Sequence, residues 1–121
     1  MNEELKQELE ALQILNHFLD KLIPNMETLC KELKGASKPD TLSFQKQCMD
    51  AFNWTIEIYN RIPHMSDLCG KELDKDETNQ VIISLGEALK AGDGAAIAER
   101  IENGALVILH QLKEMTQAVE V

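Results

Sequence analysis

Three histidines and three cysteines are the side chains of this sequence best suited to carry chemistry. His17 lies three residues before Asp20 and His110 lies four before Glu114, so each pair would share one face of a helix. Metal sites in helical bundles instead gather paired glutamates and Glu-x-x-His motifs from facing helices. No histidine here follows a glutamate by three residues, and each pair supplies only two ligands. The spacing therefore predicts no metal site and no cofactor.

The thiols offer a second chemistry, nucleophilic catalysis, which requires a thiolate. Cys30, Cys48 and Cys69 have no C-x-x-C spacing and fall on or near apolar helix faces, where a thiol is usually inert. The sequence contains no glycine-rich phosphate loop, no G-x-S-x-G motif and no pair of catalytic carboxylates. We therefore predict a non-enzymatic protein with reduced thiols and no catalytic residues. An enzyme or metal protein whose ligands converge from different helices remains an alternative.

The charge of the chain limits its partners. Its 121 residues carry a net charge of −9, and the segment from Asp74 onward contains nine acidic residues and four basic ones. Such a field repels nucleic acid and anionic membranes, so we predict no nucleic-acid binding. The opening segment MNEELKQELE is acidic rather than apolar, and no apolar run reaches the length of a membrane span. We expect a cytoplasmic protein without a membrane span.

One long amphipathic helix, Glu3 to Lys34, is predicted to organise the other elements. Its apolar residues recur every seven positions, with further rows that widen the stripe enough to contact two neighbouring helices. The main row is Leu5, Leu12, Leu19, Met26 and Leu33. Pro24 removes a backbone donor inside this pattern and predicts a kink or a break. Because the seven-residue phase is unchanged across it, we favour one bent helix.

Three further helices follow from the same periodicity. The second begins near Asp40 or Thr41 and has an apolar face to Ile62, and Pro63 is followed by a short helical continuation or an irregular turn. The third is predicted at Asn79–Ala91 and the fourth from Gly94 to Met115 or beyond. No strand pattern competes with them. The predicted fold is an all-α, antiparallel four-helix bundle, one domain over residues 1–121, with a long first helix kinked at Pro24.

The helix ends and one glycine carry specific signals. Asp74 and Glu77 have the spacing of a capping box, although Asp76 or Thr78 is also suited to cap the third helix. Gly92 is suited to the left-handed conformation that ends a helix, and Asp93 to capping the next one. A glycine inside a helix costs about 1 kcal/mol relative to alanine. We therefore predict that a neighbouring helix approaches closely at Gly104.

More apolar surface is present than one core face per helix requires. Met49 and Ile56 lie opposite the main apolar stripe of the second helix, and Ile83 lies away from the stripe of the third. On the fourth helix, the residues predicted outside the inward arc are Leu106, Val107 and Leu109. For Met49 and Ile56, burial by a neighbouring helix and contact with a partner are equally consistent with the pattern. For Leu106 and Val107 we favour contact with another subunit or partner.

We therefore predict a protein–protein interaction or adaptor module that forms a homodimer. Its predicted interface anchors are Met49, Ile56, Leu106 and Val107. The alternative is a protein similar to the export chaperones of flagellar or secretion systems, which would cover an amphipathic segment of a client; this rests on size, acidity and helicity. A mass near 27 kDa, twice that of one chain, would favour the homodimer.

The segment EALKAGDGAAIAERIENGALVIL, which ends at Leu109, resembles the C-terminal helical hairpin of a small uncharacterised bacterial family. Members of that family read approximately EALENGDYVLLADLLEYELLPLL. The segment FNWTIE, from Phe52 to Glu57, resembles the family's Trp-containing second helix. Asn103 stands where the family has Tyr, and Val107 stands where it has Pro. The resemblance implies an all-helical fold and transfers no catalytic residue.

Overall fold

A computed structural model describes residues 3–35, 38–62, 70 and 72–118. They form α1 (Glu3–Leu33), α2 (Thr41–Asn60), α3 (Lys75–Ala91), α4 (Gly94–Arg100), a π-helical segment (Ile101–Ala105) and α5 (Leu106–Ala118). The last three elements run on without leaving helical backbone geometry, so we call them together the C-terminal helix. No strand occurs in these residues. The predicted all-α bundle is confirmed.

α1 provides the surface to which most of the chain is attached. It packs against α2 and also along the C-terminal helix, whereas α3 packs mainly against α4 and the π-helical segment. The predicted broad apolar stripe is therefore used against two neighbours. Leu15, Leu19 and Leu29 of this stripe are completely buried. None of the helices that the structure describes combines the length and apolar composition needed to cross a membrane.

Of the two prolines within predicted helical patterns, Pro24 is the one that the structure describes. α1 continues through Pro24 as a single helix, as predicted from its unchanged seven-residue phase. α2 ends at Asn60, and the adjoining Ile62 is buried. Pro63 and the following residues to 69 lie outside the described residues, as do the alternatives predicted for them. Beyond them, the backbone N–H of Leu73 donates a 2.8 Å hydrogen bond to the hydroxyl of Tyr59.

The polar caps are formed by the residues that the sequence indicated. Asp74 is the N-cap of α3 and accepts a hydrogen bond from the backbone N–H of Glu77 at 3.0 Å. Because Asp74 is the cap, α3 begins at Lys75, four residues before its predicted start. Gly92 ends α3 in the left-handed conformation, with φ 70°. Asp93 then caps α4 by accepting from the N–H groups of Ala95 and Ala96.

The prediction that Leu106 and Leu109 lie outside the inward arc of the fourth helix is wrong. Leu106 is 8% exposed and Leu109 is completely buried. The π-helical segment directly before them contains an extra residue per turn, so the residues after it are rotated relative to an unbroken α-helix. α5 therefore buries a wider arc against α1, and only Val107 of the three residues remains exposed.

Candidate protein-interaction surfaces

A groove of about 440 Å³ lies between α3 and the C-terminal helix; we call it the α3–π groove. α3 contributes Val81 and Ser84 to its wall, and the C-terminal helix contributes Asn103 and Val107. The volume falls within the range of about 300–1,000 Å³ that is typical of binding clefts. The groove includes Val107, one of the predicted interface anchors.

The groove is formed where the C-terminal helix departs from α-helical geometry. The backbone N–H of Leu106 donates to the carbonyl of Ile101, five residues earlier, which is the hydrogen bond of a π-helix. Within this turn, a Cβ added to Gly104 would lie 2.9 Å from Cγ1 and 3.2 Å from Cγ2 of Val81. The missing side chain therefore lets the two helices approach. The predicted close approach at Gly104 is confirmed, and π-helical turns of this kind occur frequently at functional sites.

The apolar part of the groove is a small floor with one exposed edge. Ile108 is buried and Val81 is half-buried, so both are fixed by the packing of the two helices. Val107 is 46% exposed to solvent. A bulky apolar side chain from another molecule would remove the exposed part of Val107 from water, which is favourable.

The polar residues around this floor are predominantly acidic. Among the described residues, Asp74 and Glu77, at the start of α3, and Glu99 of α4 line the groove, and Arg100 is the one cationic group beside them. Arg100 Nη1 lies 3.6 Å from a carboxylate oxygen of Glu99 on the surface, where such pairs contribute little. The lining that the structure describes therefore contains three carboxylates and one guanidinium, so its net charge is negative.

A second apolar surface lies on α2, and we call its residues Leu42, Met49 and Ile56 the α2 stripe. They follow one another at seven-residue intervals along one side of the helix. Leu42 is 77% exposed, whereas Met49 and Ile56 are half-buried and pack partly against the core. Among the described elements, α2 packs principally against α1. The stripe contributes no residue to the α3–π groove.

The four predicted interface residues are therefore not brought together. Met49 and Ile56 belong to the α2 stripe, Val107 belongs to the α3–π groove, and Leu106 packs in the core. Leu42 was not among the predicted anchors, although its position seven residues before Met49 was a usable signal. The π-helical segment had no recognisable signal in the sequence, because no residue type specifies the extra residue in that turn.

The described thiols are buried and lack the properties of a nucleophile. The Cys30 thiol donates to the carbonyl of Ala98 at 3.7 Å, and Cys48 is packed in the same core. Burial raises the pKa of each thiol from its ordinary value of 9.0 to about 11, and nearby carboxylates contribute to the same shift. A thiol with its pKa at about 11 keeps its proton at neutral pH. Cys69 lies outside the described residues.

The pairs His17/Asp20 and His110/Glu114 are not part of a cluster of metal ligands in the described residues. His17 and His110 are exposed. Asp20, the expected neighbour of His17, forms an ion pair with Lys113, which also donates to Asn16 Oδ1 at 2.6 Å. This polar cluster joins α1 to α5, and its geometry is that of a structural contact. Within the ranges that the structure describes, no three metal-binding side chains come together.

Comparison with known proteins identifies one related family. A family model for a domain of unknown function (DUF8042) matches residues 10–115, which is most of the chain. No curated protein and no solved structure matches the sequence. The match overlaps every helix that the structure describes and spans the residues of both candidate interaction surfaces.

Proposed function

The chain belongs to the DUF8042 family, and we propose that it is a non-enzymatic cytoplasmic module that binds proteins through apolar helix faces and forms a homodimer. The observation that carries this proposal is the α2 stripe. Leu42 is 77% exposed, and the stripe to which it belongs lies beside the face of α2 that packs in the core. The likeness of its C-terminal hairpin to a bacterial family also favours a bacterial protein.

The spacing of the α2 stripe suits contact between two copies of the same helix. Residues that recur every seven positions form the seam along which two helices pack side by side. In a homodimer, two α2 helices would pair across a two-fold axis, so that each stripe contacts the same stripe of the other copy. Leu42 would lose most of its contact with water. The partner helix would also cover those parts of Met49 and Ile56 that the core leaves exposed.

Light scattering over a range of protein concentrations tests the homodimer. We expect a mass near twice 13.6 kDa, and we expect Leu42→Asp to yield a monomer of unchanged helicity. Gln47→Asp provides the matched control, because Gln47 is exposed on the same helix and lies away from the stripe. Each copy carries a charge of −9, so added salt should strengthen the dimer by screening the repulsion between copies. A wild-type monomer at every concentration would refute the proposal.

A second candidate function is that of an export-chaperone-like protein, which covers an amphipathic segment of a client. The α3–π groove favours this candidate because it combines an apolar floor with a polar rim between two helices. The two functions use different surfaces. A chain that remains monomeric and binds a helical segment in the groove would favour the chaperone-like function over the homodimer.

A further inference from the structure

We propose that the α3–π groove binds a basic amphipathic helix of another protein. One bulky apolar residue of that helix would lie over Val81, Val107 and Ile108, and flanking lysine or arginine residues would face Glu77 and Glu99. This site is separate from the α2 stripe, so it does not depend on homodimer formation. It specifies the kind of partner that the groove fits.

The dimensions of the groove favour the side chains of a helix. A volume of about 440 Å³ is far larger than a bound water, whose share of liquid volume is about 30 Å³. The apolar floor is short and lies between two helices, which is the arrangement that receives the apolar face of a third helix. A peptide that binds as an added β-strand would need a free sheet edge for its backbone hydrogen bonds, and the described residues contain no strand.

The charge of the groove determines which helix fits. Asp74, Glu77 and Glu99 outnumber Arg100, and the whole chain carries −9. An acidic helix would be repelled by the net negative charge of the described lining, whereas a basic helix would gain long-range attraction and contacts with the carboxylates. Nucleic acid and anionic membranes carry the wrong sign for this surface. A polypeptide with cationic side chains is the occupant whose charge complements it.

The probe is a dye-labelled synthetic amphipathic helical peptide with leucines on one face and lysines and arginines beside them. A second peptide has glutamate in place of every basic residue. Fluorescence anisotropy with the full chain should show binding of the basic peptide and at least tenfold weaker binding of the acidic one. Raising the ionic strength should weaken binding of the basic peptide, because its attraction to the groove is screened. Failure of the wild-type chain to bind the basic peptide would overturn the proposal.

Variants locate the binding site. Val107→Asp should weaken binding about tenfold or more, because it removes the exposed apolar anchor. The double variant Glu77→Gln, Glu99→Gln should weaken it by about three- to tenfold and reduce its dependence on salt. Ile83→Asp is the matched control, since Ile83 is 61% exposed on α3 and is not part of the groove. Undiminished binding by folded Val107→Asp, or an equal loss in Ile83→Asp, would show that the peptide binds elsewhere.

Leu42→Asp separates this proposal from homodimer formation. If it yields a monomer that still binds the basic peptide, the groove acts independently of the α2 stripe. If it abolishes peptide binding while the helicity is retained, the peptide occupies the α2 stripe, and the groove assignment is wrong. Failure of the wild-type chain to dimerise would leave the peptide measurements unaffected.

Discussion

Gly104 of the C-terminal helix lies so close to Val81 of α3 that a Cβ at position 104 would come within 2.9 Å of Cγ1 of the valine. Val81 is half-buried and β-branched, so its side chain has few alternative positions. The contact also fixes the floor of the α3–π groove, because both residues line it. Helix packing and the candidate binding site therefore depend on the same missing side chain.

Replacing Gly104 by alanine should destabilise the protein despite the higher helix propensity of alanine. The gain of about 1 kcal/mol in propensity is opposed by overpacking against Val81, which costs about 1–3 kcal/mol. We expect the free energy of unfolding, measured with urea, to fall by up to about 2 kcal/mol. In a Val81→Ala background the clash is removed, and Gly104→Ala should then become stabilising.

Gly86 offers the matched control for this substitution. It lies within α3, and a Cβ added there would meet no atom within 4 Å. Gly86→Ala should therefore raise the free energy of unfolding by about 0.5–1 kcal/mol. A stabilising effect of the same size at Gly104 would mean that the two helices separate readily at the groove.

Two adjacent positions at the start of α5 should differ in how strongly a carboxylate placed there lowers the stability of the protein. Leu106 is 8% exposed, so Leu106→Asp would bury a carboxylate in the core and should cost about 3 kcal/mol or more. Val107→Asp places the same group at a position that is 46% exposed and should change stability by less than about 1 kcal/mol. Thermal unfolding followed by circular dichroism compares the two. A large loss of helicity in Val107→Asp would indicate that Val107 is a core residue.

The polar cluster between α1 and α5 should contribute more to the free energy of unfolding than a surface ion pair does. The side chain of Lys113 is only 18% exposed and contacts both Asp20 and Asn16. Lys113→Met removes these contacts and should lower the free energy of unfolding by about 1 kcal/mol. In the matched variant, Lys34→Met, the lost partner is Glu102 at an exposed site, and we expect little change in urea unfolding. Equal effects would show that burial does not strengthen the Lys113 cluster.

The buried thiols should make the protein less stable at high pH. The pKa of Cys30 and Cys48 is about 11 in the folded chain, against an ordinary value of 9.0. Because the unfolded chain loses these protons first, the contribution of the thiols is complete below about pH 9 and declines as the pH rises toward 11. The decline should be on the order of 2 kcal/mol per thiol.

Urea unfolding at several pH values measures this decline. The double variant Cys30→Ala, Cys48→Ala has a lower baseline stability because its core loses two packed groups, but its curve should be flatter between pH 9 and 11. Thiol-reactive dye should also label both cysteines slowly at neutral pH and rapidly in urea. An identical slope in the double variant would mean that other groups cause the loss.

The sequence by itself determined the helices and most of their ends. The seven-residue repeat predicts a helix from neighbouring residues alone. Helix ends are equally local, because the caps at Asp74, Gly92 and Asp93 bond to backbone groups a few residues away, so they can be predicted without knowing which helix packs nearby. The same local logic identified Gly104 as a position of close approach. Even the continuity of α1 through Pro24 followed from the unchanged phase of its apolar residues.

Only the tertiary structure decided which apolar residues are available to a partner. Leu106 and Val107 are neighbours with similar side chains, yet one packs in the core and the other faces solvent. The difference depends on the π-helical turn before them and on the position of α1, neither of which a helical repeat specifies. The α3–π groove likewise combines residues from two helices that are distant in sequence. The exposure of a side chain depends on how all the helices pack, so it could not be predicted from the periodicity of one helix.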